Sequence, residues 1–494
     1  MRVLVSVFAL VLLVTSGRYG YHRDELYFLA AGRRLAWGYP DQPPLVPLLA
    51  RVMSAVDPDA LWVLRLPSVV AAAVVVVCAG AMAGALGGGR GARVLAGGAV
   101  ASAALVQGVG HLLTTTVFDL AVWSLVCLLV LKLLRAPEGA SPMVVVSSAP
   151  VDRETTWTGD PRWWLLIGVL VGVGLLNKVL LIAPVAVLVV ALLLTGQRKV
   201  FTTKYFPCAV GIAVVTALPY LWWQARNGWP QWELSRAIAG GSSGTSDSPI
   251  MFVLLQFGLF GPLLVPLWVY GLWRLWHSRY RAFPLTYAVL FVLFLVTGGK
   301  AYYLGGMYPV LLAAGSVGLA GWLGRAGKRW LAAASVIALN AVMSASLFLP
   351  VLPIEAIPSS PVLAVNYDAG ETIGWSRYVE QIAATRPPGA SILTANYGEA
   401  GAIEHFGHEY GLPTPYSGHN AYWWWGPPPD SITVVLTVGI DRERLTGLCA
   451  SIEPRGALDN GLGIDNDEQG EPLFLCRNPI RPWSQVWPEL RTLG

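Results

Sequence analysis

Gly20–Tyr21–His22–Arg23–Asp24–Glu25–Leu26–Tyr27–Phe28 runs on to Asp41–Gln42–Pro43–Pro44, and it is the first polar stretch after an apolar N-terminal run, Val3–Val14. It carries adjacent acids, several arginines and a tyrosine cluster, and it stops at a double proline. Of the chain's 494 residues, 55% are hydrophobic and only 13% are charged, with a mean hydropathy of +0.55. Soluble domains carry about 25% charged residues. The deficit points to a polytopic α-helical membrane protein. A polar loop of this chemistry, directly after a first span, is where a reaction is to be expected.

A membrane span needs about 20 apolar residues. That rule predicts eleven spans, at 2–17, 61–86, 93–109, 112–134, 162–177, 178–195, 205–224, 251–275, 282–297, 303–322 and 329–349. The first lacks a small-residue cleavage site and is read as a retained span rather than a signal peptide. The 21 tryptophans suit aromatic belts at many interface crossings. Loops 87–92, 135–161, 196–204, 276–281 and 323–328 carry Arg90, Arg135, Arg153, Arg198, Lys199, Lys204, Arg279, Arg281, Arg325 and Lys328. All fall on one side if the N-terminus is cytoplasmic, the positive-inside pattern. Net charge is +5, which that bias accounts for without nucleic acid as a partner.

One loop departs from the pattern. Residues 18–60 are expected outside, yet they hold Arg18, Arg23, Arg33, Arg34 and Arg51. Arginine there could grip phosphate, or it could snorkel at the interface. Leu26, Leu29, Ala30 and Leu35 have helical spacing, which predicts a short helix lying along the membrane surface. Pro43 and Pro44 stop it, and Leu45, Leu48, Leu49 and Val52 start another. Residues 136–160 are expected to be poorly ordered, and Gly240–Ser248, in the outer loop 225–250, to be a mobile flap.

After Pro350 the composition changes. Residues 1–350 read as the membrane domain, and residues 351–494 as an extracytoplasmic α/β domain. Helices are predicted at Gly374–Ala384, Glu399–Phe406 and Asp441–Ala450, and strands at Ala390–Thr394, Ser431–Val438 and Pro472–Cys476. Cys78, Cys127 and Cys208 sit in apolar runs. Cys449 and Cys476 could pair if their part of the chain is extracytoplasmic.

Five groups could carry chemistry. Asp24 could take a proton from an acceptor hydroxyl, and with Glu25 could hold a divalent cation; equally, the pair could be a solvated helix start. Asp119 follows Thr114–Thr115–Thr116–Val117–Phe118 two turns into a span, a costly depth for a carboxylate; His111 precedes it. Lys178, in Asn177–Lys178, interrupts two apolar runs and could neutralise a phosphate. Lys300 and Tyr302 lie in Gly298–Gly299–Lys300–Ala301–Tyr302–Tyr303, an anion-binding loop or a plain interfacial turn. The stretch Tyr416–Ser417–Gly418–His419–Asn420–Ala421–Tyr422–Trp423–Trp424–Trp425 could contact sugar or acceptor through Tyr416, His419, Asn420 and Trp424, or could be a tryptophan-rich core. By the span count, Asp24, Glu25, Asp41, Asp119, Lys178, Arg226 and Lys300 all come to the outer face. Acids for proton transfer beside cations for a phosphate leaving group are what sugar transfer from a phosphate ester requires. The sequence holds no P-loop, no HExxH and no zinc-type Cys/His spacing.

These residues resemble the GT-C superfamily of membrane glycosyltransferases, in the branch of the protein mannosyltransferases and lipid A aminoarabinose transferases. The resemblance rests on Tyr21–Phe28, Asp41–Leu45, Phe118–Asp119, Asn177–Lys178 and Lys300–Tyr303. It implies inverting transfer from a polyprenyl-phosphate sugar to a cell-envelope acceptor, outside the cytoplasm. It implies Asp24 as base with Glu25 supporting, and Arg23, Lys178, Lys300 and Tyr302 at the donor phosphate. Asp119 matches a family acid, while Asp41–Gln42 replaces the histidine common before the two prolines. Cofactors are none for certain, a divalent cation being possible. A transporter or flippase of lipid-linked sugars is the alternative; it predicts inverted repeats and polar residues near the bilayer midplane.

Overall fold

The structure, a computed structural model, describes residues 1–135, 159–240 and 248–494. The expectations of poor order over 136–160 and of a flap at Gly240–Ser248 fall largely on residues outside the described ones. The first part of the chain is helical. Its helices are α1 (Arg2–Thr15), α2 (Arg23–Arg33), α3 (Leu45–Val56), α4 (Leu61–Ala85), α5 (Arg90–Ala101), α6 (Ala104–Gly110), α7 (Thr115–Leu133), α8 (Trp163–Leu175), α9 (Ile182–Leu194), α10 (Tyr205–Arg226), α11 (Pro230–Ala239), α12 (Pro249–Gly258), α13 (Val265–Trp276), α14 (Ala282–Val296), α15 (Tyr308–Leu323) and α16 (Gly327–Phe348).

Among the described residues, five helices are long and apolar enough to cross a bilayer unbroken: α4, α7, α10, the continuous run Ala301–Leu323 and α16. Two further apolar segments are bent, α5 with α6 by 63° and α12 with α13 by 77°. The chain is a multi-pass membrane protein. Straight spans were predicted at 93–109 and 251–275, and both are broken instead. The breaks meet. Leu105 N–H donates to Leu259 O at 2.7 Å across them. Asn340 of α16, fully buried, donates to Ser102 O at 2.8 Å and to Phe260 O at 3.2 Å. One amide thus satisfies carbonyls that both broken helices leave open, as lipid cannot. Gly261, at φ +93°, lets the chain pass against that amide; a Cβ there would collide with Asn340 Oδ1. Asn340→Leu is expected to lower stability by about 1–2 kcal/mol, read by thermal melting of the purified protein. A melting point equal to wild type would mean the breaks hold without it.

The remaining chain forms α17 (Val362–Val365), α18 (Trp375–Thr385), α19 (Tyr397–Phe406) and a five-stranded sheet. Its strands are β1 (Ser391–Thr394), β2 (Tyr416–Ser417), β3 (Val434–Val438), β4 (Cys449–Ala457) and β5 (Pro472–Pro479), in the order β2-β1-β3-β5-β4. β1 runs parallel to β2 and β3, and β5 antiparallel to β3 and β4. The helix predicted at Asp441–Ala450 is only five residues, Arg442–Thr446, and the unpredicted β4 follows. β4 is an exposed edge strand with a register shift between Pro454 and Gly456, so it shows no alternation of buried and exposed residues to read. Cys449 and Cys476 are disulfide-bonded, with Cα atoms 5.6 Å apart.

One apolar cluster joins the two parts. Leu26, Tyr27, Phe28, Leu29 and Ala30 of α2 pack with Trp375, Val379, Ile392, Ile403, Leu436 and Val438. The surface helix expected at this place is therefore buried, every residue from Glu25 to Gly32 included. Its approach to α3 and α19 is close. A Cβ on Gly32 would meet Pro47 O at 2.8 Å, and one on Gly401 would meet the Leu26 backbone at 2.9 Å. α3 has the interfacial character instead, with Leu48, Val52 and Val56 exposed along one face.

Candidate active site

α2 begins with a capping box. The N-cap His22 accepts from Asp24 N–H through its ring, and Glu25 Oε2 accepts from His22 N–H at 2.8 Å. The box decides what the adjacent acids do. Glu25 is turned inward and has no exposed surface. Besides His22 N–H it accepts from Arg65 Nε at 2.8 Å, Arg65 Nη2 at 2.7 Å and Leu113 N–H at 2.8 Å. Four donors fill a carboxylate's capacity. Burial alone would raise its pKa, but the Arg65 charge and these bonds outweigh that and hold it below the ordinary carboxylate range. Arg65 also donates to Ser16 O and Gly20 O, both at 2.7 Å. The sequence reading of Glu25 as a second catalytic acid or a cation ligand is corrected: its carboxylate is engaged in joining α1, α2, α4 and the α6–α7 turn.

Asp24 points the other way and is partly exposed. Its Oδ1 accepts from the Tyr397 hydroxyl at 2.7 Å. Tyr397 opens α19, whose own capping box pairs Asn396 with Glu399. A second acid stands alongside: Asp41 Oδ1 accepts from the Tyr27 hydroxyl at 2.7 Å. The Tyr27 and Tyr397 rings lie 4.8 Å apart, and the Asp24 charge acts on Asp41. The His419 ring lies tilted 4.9 Å from that of Tyr397, and Ala421 N–H donates to the Tyr27 hydroxyl at 3.2 Å. Asn420, at φ +47°, precedes it, so the loop after β2 reaches the acids through His419 and Ala421.

Cations approach from the membrane side. Asn177, buried, donates to Thr115 O at 2.8 Å and so fixes Lys178 beside the first turns of α7. Lys178 interacts with Asp119 and with Lys300. Its Nζ sits 4.9 Å from the Tyr302 ring centre and 5.1 Å from that of Tyr303. Gln256 holds this loop, donating to Ala301 O at 3.0 Å and accepting from the Tyr308 hydroxyl at 2.7 Å. Tyr302 in turn lies within the electrostatic reach of Asp24 and Asp119. The structure thus brings Asp24, Asp41, Asp119, Lys178, Lys300 and Tyr302 into one neighbourhood.

Other predicted residues go elsewhere. Arg23, expected at the donor phosphate, pairs with Asp467 and lies 3.6 Å from Glu371 Oε2, over the Tyr397 ring. It ties α2 to the turn before α18 and to the β4–β5 connection. His111 is buried on the Arg65–Glu25 side, with Nδ1 3.4 Å from Gln107 O. Tyr416 packs against the core of Leu393 and Trp487, and Trp424 lies under Arg491, 4.7 Å from its guanidinium. Among the described residues no group of three His, Cys, Asp or Glu side chains is arranged to hold a metal ion. The sequence reading missed Arg65, Tyr397 and His22. An arginine inside the predicted span 61–86 was a signal, and Asn396–Tyr397–Gly398–Glu399 is a capping-box pattern.

Burial pushes the Asp41 carboxyl up to about 7, with the Asp24 charge adding and the Tyr27 bond opposing. A raised acid favours its neutral form in the fold, so its contribution to stability falls as pH rises from about 4 through 7 and is level above that. Asp41→Asn keeps an acceptor for Tyr27 and removes the titration. The variant is expected to gain on wild type by about 1–2 kcal/mol between pH 5 and 8, the shift being discounted for partial exposure. Parallel melting curves across that range would contradict it.

Residues 41–148 match the family model described as dolichyl-phosphate-mannose-protein mannosyltransferase. No curated protein sequence matches the chain. Among solved structures, ArnT from Cupriavidus metallidurans in the apo state aligns with a TM-score of 0.58 at 15% identity, over 96% of this chain and 97% of that one. The same protein bound to undecaprenyl phosphate gives a TM-score of 0.58 at 14% identity, over 96% and 97%. The oligosaccharyltransferase AglB from Archaeoglobus fulgidus, in complex with an inhibitory peptide and a dolichol-phosphate, aligns with a TM-score of 0.50 at 12% identity, over 88% of this chain and 69% of that one. The chain therefore shares the fold of ArnT and of AglB.

Proposed function

We propose that the protein is an inverting glycosyltransferase. It moves a sugar from a polyprenyl-phosphate donor to a lipid, glycan or protein acceptor of the cell envelope. Asp24 is the base that takes the acceptor hydroxyl's proton. Lys178, Lys300 and Tyr302 hold the donor phosphate and stabilise the charge it gains on leaving. The observation that carries this reading is that Asp24, held by Tyr397, and the Tyr302 ring on which Lys178 sits lie within electrostatic reach of each other. The likeness in fold to ArnT, solved with undecaprenyl phosphate, supports a lipid-phosphate donor.

We infer eleven crossings by counting the seven segments above with four of the five shorter apolar helices, α1, α8, the run Val179–Leu194 and α14, and leaving out α3 for its interfacial character. An odd count with a cytoplasmic N-terminus puts residues 351–494 outside the inner membrane as an α/β domain packed on α2, and the Cys449–Cys476 bond suits that compartment.

The test is an assay of purified protein with a panel of polyprenyl-phosphate sugars, scoring sugar transfer and lipid-phosphate release together. Transfer with stoichiometric lipid phosphate is expected. Movement of the intact donor across proteoliposomes without cleavage would replace the transferase reading with the flippase one.

A further inference from the structure

His22 does more than cap a helix. Its Nδ1 accepts from Asp24 N–H at 3.2 Å, so the ring proton is on Nε2. That Nε2 is buried and has no hydrogen-bond partner among the described residues. The residue as a whole is 8% exposed. The closest acid is Asp368, whose Oδ1 stands 3.8 Å off, beyond hydrogen-bond length. Asp368 lies in the 3-10 turn Tyr367–Thr372, and its side chain is 72% exposed. It interacts with His22, Lys300 and Arg23. The His22 ring therefore offers a donor to a spot that an exposed carboxylate approaches without filling, at the positive end of the 11-residue helix α2. Asp24, two residues on, accepts from the Tyr397 hydroxyl, and its charge reaches Tyr302.

We propose that His22 Nε2 is a binding group for the phosphate of the lipid-linked donor, and that Asp368 is a resident anion the phosphate displaces. The proposal rests on the reading of Lys178, Lys300 and Tyr302 as the phosphate site, and it deepens that reading. It makes donor affinity a competition. Each charge-assisted bond the phosphate forms replaces one that Asp368 makes only loosely. An acid at this point keeps the cation set partly neutralised while no donor is present.

The test separates the cap from the ligand role. Asn is among the best N-cap residues, so His22→Asn keeps the start of α2 but removes the distal N–H. Binding of undecaprenyl phosphate to the full-length purified protein is measured, with inorganic phosphate as a parallel arm. His22→Asn is expected to melt like wild type and bind the lipid phosphate about tenfold more weakly, the scale of one hydrogen bond to a charged group. Asp368→Asn is expected to bind it about three- to tenfold more tightly. Unchanged binding in His22→Asn would leave His22 as a cap only and overturn the proposal, as would unchanged or weaker binding in Asp368→Asn. Equal dependence on both residues with inorganic phosphate would assign the spot to free phosphate and overturn its placement at a lipid. Lipid phosphate bound with these dependences by a protein that transfers no sugar would sink the transferase reading and leave this one standing.

Discussion

Asp24→Asn is expected to fold and to lose about a hundred- to ten-thousand-fold in sugar transfer, the range for removing a positioned general base. The fold should survive because Asn keeps an oxygen for the Tyr397 hydroxyl, which Asp24 accepts at 2.7 Å. What is lost is the negative charge and the ability to take a proton. The loss should fall on kcat, with donor binding little changed, since the phosphate grip proposed above uses Lys178, Lys300 and Tyr302 rather than the acid. Tyr397→Phe supplies the comparison. It frees the carboxylate from its orienting bond but leaves the base in place, so a smaller loss is expected, about tenfold. An Asp24→Asn protein that melts like wild type and transfers at the wild-type rate would remove the base role outright.

The membrane character was legible from composition because lipid exposure demands apolar residues over long runs, and no tertiary detail alters that demand. The bends were not. Hydropathy is the same on either side of Ser102 and of Gly261, and the break is compensated by Asn340, far along the chain, which reads alone as one polar residue in an apolar helix. The candidate site was legible where its residues carry an intrinsic cost. Asp119 and Lys178 lie where a charge is expensive, and so they stand out before any contact is known.

The partners of Asp24 and Glu25 were not legible, for a different reason. Tyr397 is 373 residues from Asp24, and nothing local marks a tyrosine at a helix start as the partner of an acid on another helix. Asp24 and Glu25 look equivalent in sequence. They differ because adjacent helical positions face different directions, so that one meets Tyr397 and the other meets Arg65. Histidine is also an uncommon N-cap, which hid the capping box that turns Glu25 inward.

Arg65→Ala is expected to be the most destabilising of the single changes, by about 3–5 kcal/mol, the cost of leaving one partner of a buried ion pair behind. The guanidinium is 1% exposed and the Glu25 side chain is fully buried. Its removal strands the carboxylate and Ser16 O in the interior and leaves the part-buried Gly20 O without its donor. The pH dependence identifies the cause. Glu25 is held below its ordinary 4.5, so the pair's stabilisation is complete above that value and is lost as pH falls through the lowered one. Wild type should therefore lose stability on acidification, and Arg65→Ala should lack that slope. A melting point within about 1 kcal/mol of wild type would mean the junction of α1, α2 and α4 is held by packing alone. Glu25→Gln completes the argument, because it separates a joining role from a chemical one. If Glu25 only holds α2 in place, activity should fall in step with the folded fraction, and each folded molecule should turn over at the wild-type rate. A folded Glu25→Gln protein with the kcat loss expected of Asp24→Asn would return Glu25 to the chemistry.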